Sequence, residues 1–302
     1  MTTSRRNFIQ ASALTGLGMS LFHQNLFAHL LNQDAPFKMS AIRNHVGFFT
    51  ERGGTIGWLN SNEGIVVVDT QFPDQSKHLI AEIQKQSDRK IDLLINTHHH
   101  GDHTSGNIAF EGLTDMILAH ENSKKNQMRV AKDRGQEAEQ LFPDNTFEND
   151  WSKQVAGETI TLRYFGPGHT DGDAITHFEN ANIVHMGDLV FNRRFPYIDK
   201  SAGASVKNWI VVLQNAQKVF DKDTKFIFGH SDNGFDIIGT KGDLRAFENY
   251  LGKLRDTVSH ALKAGKSEAE IMKIQSIQGA DEWNGDGIQR SLSATFQELS
   301  SR

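Results

Sequence analysis

The chain has 302 residues, 37% apolar, 23% charged and 9% aromatic, which excludes disordered, collagen-like and coiled-coil classes and leaves a folded protein with room for a sizeable core. Its 32 basic and 37 acidic side chains give a net charge of -5; with no basic run to follow a phosphate backbone, nucleic acid is not expected as a partner. There is no cysteine and there are 14 histidines, so disulfides, thiolate metal sites and cysteine nucleophiles are excluded together, and any metal chemistry must use nitrogen and oxygen ligands.

At the N-terminus, Ser4-Arg5-Arg6-Asn7-Phe8-Ile9 precedes a weakly apolar stretch, Ala11 to Leu31, interrupted by Ser12, Thr15, Ser20, His23, Gln24 and Asn25. The stretch is too polar to span a bilayer. Paired arginines ahead of it resemble a bacterial twin-arginine export signal. Residues 1–30 are therefore read as an address, with the twin-arginine translocase as a transient partner, a periplasmic destination and no permanent membrane anchor.

Short strands are predicted at Val46 to Phe49 and Thr55 to Leu59, joined by the turn Glu51-Arg52-Gly53-Gly54. Gly64 to Asp69 is a continuous β-branched run, the pattern of a buried strand, and it ends in an acid. A helix follows from Pro73. Ile91 to Asn96 is a second buried strand, leading into Thr97-His98-His99-His100-Gly101-Asp102-His103, and Met116 to Ala119 is a third. A helix is predicted over 121–134, and residues 136–154 read as a long polar loop. Strands resume at 159–165, 174–178, 183–186 and 226–228, with a helix over 205–220. Beyond Lys241 the pattern is helical, over 241–264, 267–275 and 286–299. The predicted class is α/β, as layered sheets with helices outside.

The segment His98-His99-His100-Gly101-Asp102-His103 carries the chemistry. In an extended start, His98 and His100 point to the same side, and Gly101 permits the turn that redirects Asp102 and His103. One loop thus offers ligands to two metals. Three further strand ends place a polar residue beside glycine: Gly168-His169, Gly187-Asp188 and Gly229-His230. His99 should face away from the ligands.

With these residues the sequence resembles the metallo-β-lactamase superfamily over about residues 41–235, Asp69 matching its first motif, His98 to His103 its second, His169 its third, Asp188 its fourth and His230 its fifth. The resemblance implies a four-layer αβ/βα sandwich; with the helical pattern beyond it, the expected organisation is a catalytic domain over 38–238 and a C-terminal helical extension over 239–302 packed on it. It also implies one zinc on His98, His100 and His169, a second on Asp102, His103 and His230, and Asp188 bridging both, with iron or manganese as alternative metals for the same ligands. Asp69 would hold a loop or a ligand imidazole by hydrogen bonds. The superfamily's cysteine-containing β-lactamases carry cysteine at the Asp188 position and usually a substrate-holding lysine three residues later, where this chain has Phe191.

Two such ions lower the pKa of a shared water toward about 7. The expected activity is therefore hydrolysis of a small carbonyl substrate (β-lactam, lactone, ester or thioester) by a metal-bridging hydroxide, with Asp102 orienting it and relaying its proton. Asn192, Arg193, Arg194 and Tyr197 are candidate contacts to an anionic part of the substrate. Two other readings are an iron-dependent persulfide dioxygenase on the same scaffold and a non-catalytic periplasmic zinc-binding module.

Overall fold

The computed structural model describes residues 37–300, so the export signal read at residues 1–30 lies outside the described residues. The architecture below is that of the compact unit formed by residues 39 onward.

The first sheet has seven strands in sequence order: β1 (Lys38–Arg43), β2 (Val46–Thr50), β3 (Ile56–Asn60), β4 (Ile65–Val68), β5 (Leu93–Asn96), β6 (Ile117–His120) and β7 (Asn145–Phe147). Pairing is antiparallel from β2 to β4 and parallel from β4 to β7. Parallel neighbours need crossovers, and these are supplied by α1 (Pro73–Gln84), by the short α2 (Gly101–Thr104) with a following 3-10 turn, and by α3 (Glu121–Arg134). All four residues of β4 and of β5 are fully buried, which explains the apolar runs Ile65 to Val68 and Leu93 to Ile95.

The second sheet joins β8 (Asp150–Val155), β9 (Glu158–Arg163), β10 (Ile175–Phe178), β11 (Ile183–His185), β13 (Lys225–Ile227) and β15 (Ile238–Gly239) in the order β15-β13-β11-β10-β9-β8. Two short strands, β12 (Phe191–Asn192) and β14 (His230–Ser231), pair in parallel beside it. Val66, Val68, Leu93 and Ile95 of the first sheet share one buried cluster with Ile160, Phe178 and Ile183 of the second. This is an α/β sandwich.

Residues 136–154 are not one long loop. They contain β7 and β8, and β8 pairs with β9 over its whole length across the turn at Ala156-Gly157. The burial of β8 alternates along the strand, so one face is solvated, and its polar residues hide a period of two that only pairing reveals.

Four helices complete the unit: α4 (Val206–Val219), α5 (Lys241–Lys263), α6 (Glu268–Ile271) and α7 (Ile288–Ser300). The predicted helix over 267–275 is only the single turn of α6. Ser205 caps α4, accepting from the Asn208 N–H at 3.2 Å, and Thr240 with Asp243 forms a capping box on α5. Leu244, Phe247, Leu251 and Leu254 of α5 join Trp209 and Leu213 of α4, Leu292 of α7, and Val184 and Phe226 of the second sheet in one cluster. Burying each such side chain contributes about 1.5–3 kcal/mol. The helices beyond residue 239 are thus continuous with the core. Among the described residues no helix is long and apolar enough to cross a membrane.

Candidate metal centre

Asp69, immediately after β4, is fully buried with φ at 66°, a conformation that aspartate tolerates better than most residues. Its carboxylate accepts three hydrogen bonds of 2.7 Å, from the Thr97 N–H, the Thr97 hydroxyl and His103 Nδ1. The loop after β5 is thereby folded back onto the end of β4. The Thr97 hydroxyl spends its proton on Asp69, so its 3.0 Å contact with His98 must be donated by His98 Nδ1. That leaves His98 Nε2 as a bare lone pair.

The same reasoning fixes two other imidazoles. His169 Nδ1 donates to the Tyr197 carbonyl at 2.7 Å, and His100 Nε2 donates to Asp199 Oδ2 at 2.9 Å. His169 Nε2 and His100 Nδ1 are therefore bare, 2.8 Å apart, and His98 Nε2 lies 3.1 Å from His100 Nδ1. Three lone pairs converge on one point. Asp188 Oδ2 faces them, 3.5 Å from His169 and 3.9 Å from His98. Burial holds His98 well below, and His169 at about 3 against, the usual imidazole value, so neither supplies a proton to relieve the contact.

Beside this cluster, His103 donates through Nδ1 to Asp69 and directs Nε2 at Asp188 Oδ1, 3.1 Å away. His230 Nε2 lies 3.2 Å from Asp102 Oδ2, 3.5 Å from Asp188 Oδ2 and 3.5 Å from His103 Nε2. Asp188, buried among all of these, has an oxygen, Oδ1, with no hydrogen bond. In the first cluster bare imidazole nitrogens face one another beside a buried carboxylate, which needs a cation; at His103 and His230 either protons or a second metal ion can supply the positive charge facing Asp102 and Asp188. Imidazole and carboxylate ligands of this kind suit zinc. Of the three groups close enough to hold an ion among the described residues, two adjoin Asp188: His98, His100, His169 and Asp188 itself, and Asp102, His103 and His230; in the third, His99, His100 and Asp199, the Asp199 carboxylate is already engaged by His100 Nε2 at 2.9 Å. All seven residues singled out in the sequence thus meet, with Asp188 within 4 Å of both groups.

Close backbone approach explains the glycines. A Cβ on Gly229 would lie 2.0 Å from Asp188 Oδ1, and one on Gly54 would lie 2.1 Å from the His103 ring. The turn holding Gly54 is tied down by Gly54 N–H to the Asp102 carbonyl at 3.0 Å and Thr55 N–H to the Gly229 carbonyl at 2.9 Å.

The four proposed substrate contacts separate into two pairs. Arg194 and Tyr197 line a 290 Å³ cavity over the metal groups, together with Asp102, Asp188, Phe191 and His230. Asn192 and Arg193 do not. Asn192 is buried and donates to the Asp236 carbonyl at 2.8 Å; Arg193 pairs with Glu282 at 2.9 Å and lies over Trp283 at 4.9 Å. Both fasten the loop after Asp188, and their strand alternation is lost because Arg193 has φ at 60°. Phe191 stacks on His230 at 5.4 Å and 18°, placing an apolar ring where the β-lactamase pattern has lysine. His99 is buried with Nε2 3.5 Å from Asp199 Oδ2.

Asp199 was not foreseen. It receives His100 on one oxygen and Ser201 and Ala202 on the other, and these donors hold it well below the usual carboxylate range although burial opposes ionisation. Only the loop geometry brings it to His100, and no sequence spacing marks it.

The sequence profile of the metallo-beta-lactamase superfamily matches residues 49–230, more than half of the chain. The chain belongs to the metallo-β-lactamase superfamily. It is a metal-dependent hydrolase of that superfamily, as the resemblance implied. A type 2 metallo-beta-lactamase of Elizabethkingia meningoseptica is 25% identical over 185 residues, 58% of this chain and 68% of that protein. Among solved structures, a metallo-beta-lactamase from Pontibacter korlensis superposes with a TM-score of 0.57 at 20% identity, covering 72% of this chain and 99% of that one. A double mutant of a sec-alkyl sulfatase superposes with a TM-score of 0.70 at 13% identity, covering 86% of this chain and 50% of that one. Residues 1–238 make up roughly four-fifths of the chain, so a match over 86% extends into the helices beyond them. The superfamily sandwich and at least part of the helical extension therefore recur together in that fold.

Proposed function

We propose that the chain is an exported, periplasmic hydrolase that uses two zinc ions to cleave a small carbonyl substrate, a β-lactam, lactone, ester or thioester. The convergence of three bare imidazole nitrogens within 3.1 Å of their neighbours, beside Asp188 and a second His/Asp group, carries this reading. His98, His100 and His169 would hold one ion, Asp102, His103 and His230 the other, and Asp188 both. Bound zinc supplies hydroxide at neutral pH and polarises the scissile bond.

The chain's own residues do the rest. Asp102 stands at the cavity wall, and the charge of His103 with the hydrogen bond from His230 holds it ionised against the opposing effect of burial. Its carboxylate orients the attacking water and accepts the proton. Arg194 pairs with an anionic part of the substrate, and the Tyr197 ring, 5.3 Å from that of His100, closes one side. Phe191 contributes apolar surface, which favours a substrate portion without charge next to His230.

Metal quantification followed by a panel of β-lactam, lactone, aryl ester, thioester, phosphodiester and alkyl sulfate tests the reading. The expected result is two zinc ions per chain and turnover confined to the carbonyl substrates, reduced at least a hundredfold in fully metallated Asp102→Asn. Turnover of phosphodiester or alkyl sulfate alone, or one iron per chain, would overturn it.

A further inference from the structure

A second cavity of about 770 Å³ lies beside the 290 Å³ one, within the size range of pockets that enclose whole organic ligands. The two share His100, Gly101 and Tyr197 as walls. Gly101 has no side chain, so the partition between them is thin at that point. The larger cavity is walled by α3, through Gln127, Val130, Ala131 and Arg134, and by Asp199.

His99 lies in the wall but is 95% buried, with Nε2 turned to the Asp199 carboxylate, so it shapes the cavity and does not contact its contents. One feature of the wall calls for a ligand. Arg134 is the only cationic Lys or Arg in the wall, and it has no ion pair among the described residues. Val130, Ala131 and Ile108 supply apolar surface between the polar groups.

We infer that this cavity receives the substituent attached to the scissile carbonyl: an elongated acyl group with an anionic terminus for Arg134. The inference rests on the hydrolase reading for the placement of the scissile bond, but the cavity's affinity for the acid can be measured without turnover. The small cavity would then hold only the reacting centre. Selectivity would reside in residues of α3, outside the metal-binding loops.

The test compares 4-nitrophenyl acetate with the 4-nitrophenyl ester of N-succinylglycine, whose elongated acyl group carries a terminal carboxylate, on the zinc-loaded full chain. The kcat/KM ratio of long to short ester is expected to exceed ten. Arg134→Gln should lower that ratio about fivefold, and Val130→Trp, which fills the cavity, about tenfold. In parallel, binding of N-succinylglycine to the full chain is measured by calorimetry with wild type and Arg134→Gln. If neither ester is hydrolysed but the acid binds and Arg134→Gln weakens it, the hydrolase reading fails and the cavity assignment stands. If both esters are hydrolysed with a ratio near one that neither substitution changes, the cavity assignment is overturned and the hydrolase reading stands.

Discussion

His100 Nε2 donates to Asp199 Oδ2 at 2.9 Å, and this one hydrogen bond determines that His100 presents a bare Nδ1 to His98 and His169. The other Asp199 oxygen caps the turn through Ser201 and Ala202. Asp199→Asn can keep the cap with its carbonyl oxygen while offering His100 an N–H, which inverts the imidazole and points a proton at the metal position. The affinity for the first ion should fall 10–100-fold, with little change in the melting temperature of the metal-free protein. Chelator competition with parallel thermal melts checks this; an equal loss at both sites with a lowered melting temperature would reduce Asp199 to a structural residue.

Asp69 presents two oxygens to three buried donors. In Asp69→Asn only one oxygen remains, and its amide N–H groups face N–H and O–H donors. Charge-assisted bonds of this kind are worth about 1.5–3 kcal/mol each, so a loss of about 3 kcal/mol of stability is expected, along with the binding that depends on His103. Denaturant titration measures the first and metal stoichiometry the second.

The second metal group should bind in a pH-dependent way. Burial works against protonating His230, but the charge of Asp188 and the hydrogen bonds to Asp102 and Asp188 raise it to about 9; the charges of Asp188, Asp102 and Asp69 likewise lift His103 well above its usual value despite burial. For the metal-free protein, a folded value above the unfolded one of about 6.5 stabilises fully below pH 6.5 and is lost as pH rises through about 9. Its melting temperature should fall over that window. A metal must displace these protons, so affinity for the second ion should climb at least tenfold per pH unit from 6 to 8. His98 and His169, kept neutral by burial, release none, and the first ion's slope should be shallower. Calorimetric titrations at pH 6, 7 and 8 decide the matter, and equal slopes at the two sites would contradict it.

The C-terminal helices reach the site through aromatic contacts. Phe247 of α5 lies edge-on to Trp209 at 5.4 Å and 6.4 Å from Phe191, which stacks on His230. The Asn284 backbone pairs with Arg193 and Phe195, and the Ser291 hydroxyl donates to the Pro196 carbonyl. Phe247→Ala should therefore cost about 3–5 kcal/mol and also weaken the second metal ion several-fold, because Phe191 gains room to move. Unchanged metal affinity in a destabilised variant would confine α5 to a packing role.

The residues themselves disclosed the chemistry of this protein. A buried strand reads as a β-branched run, and a ligand at its end reads as histidine or aspartate beside glycine, because both signals are local consequences of burial and close backbone approach. His98, His100, Asp102, His103, His169, Asp188 and His230 were legible for that reason, and so were β4, β5 and the long helices. The edge strand β8 was not, since half of its residues face solvent and its pairing with β9 is invisible in composition. Tertiary structure alone decided that Arg194 and Tyr197 face the cavity while Asn192 and Arg193 brace the C-terminal segment, because a single residue at positive φ breaks the alternation. It alone brought Asp199 to His100 across 99 residues and set α5 behind Phe191. Which nitrogen of an imidazole is left bare depends on partners distant in sequence, and those partners are fixed only when the chain has folded.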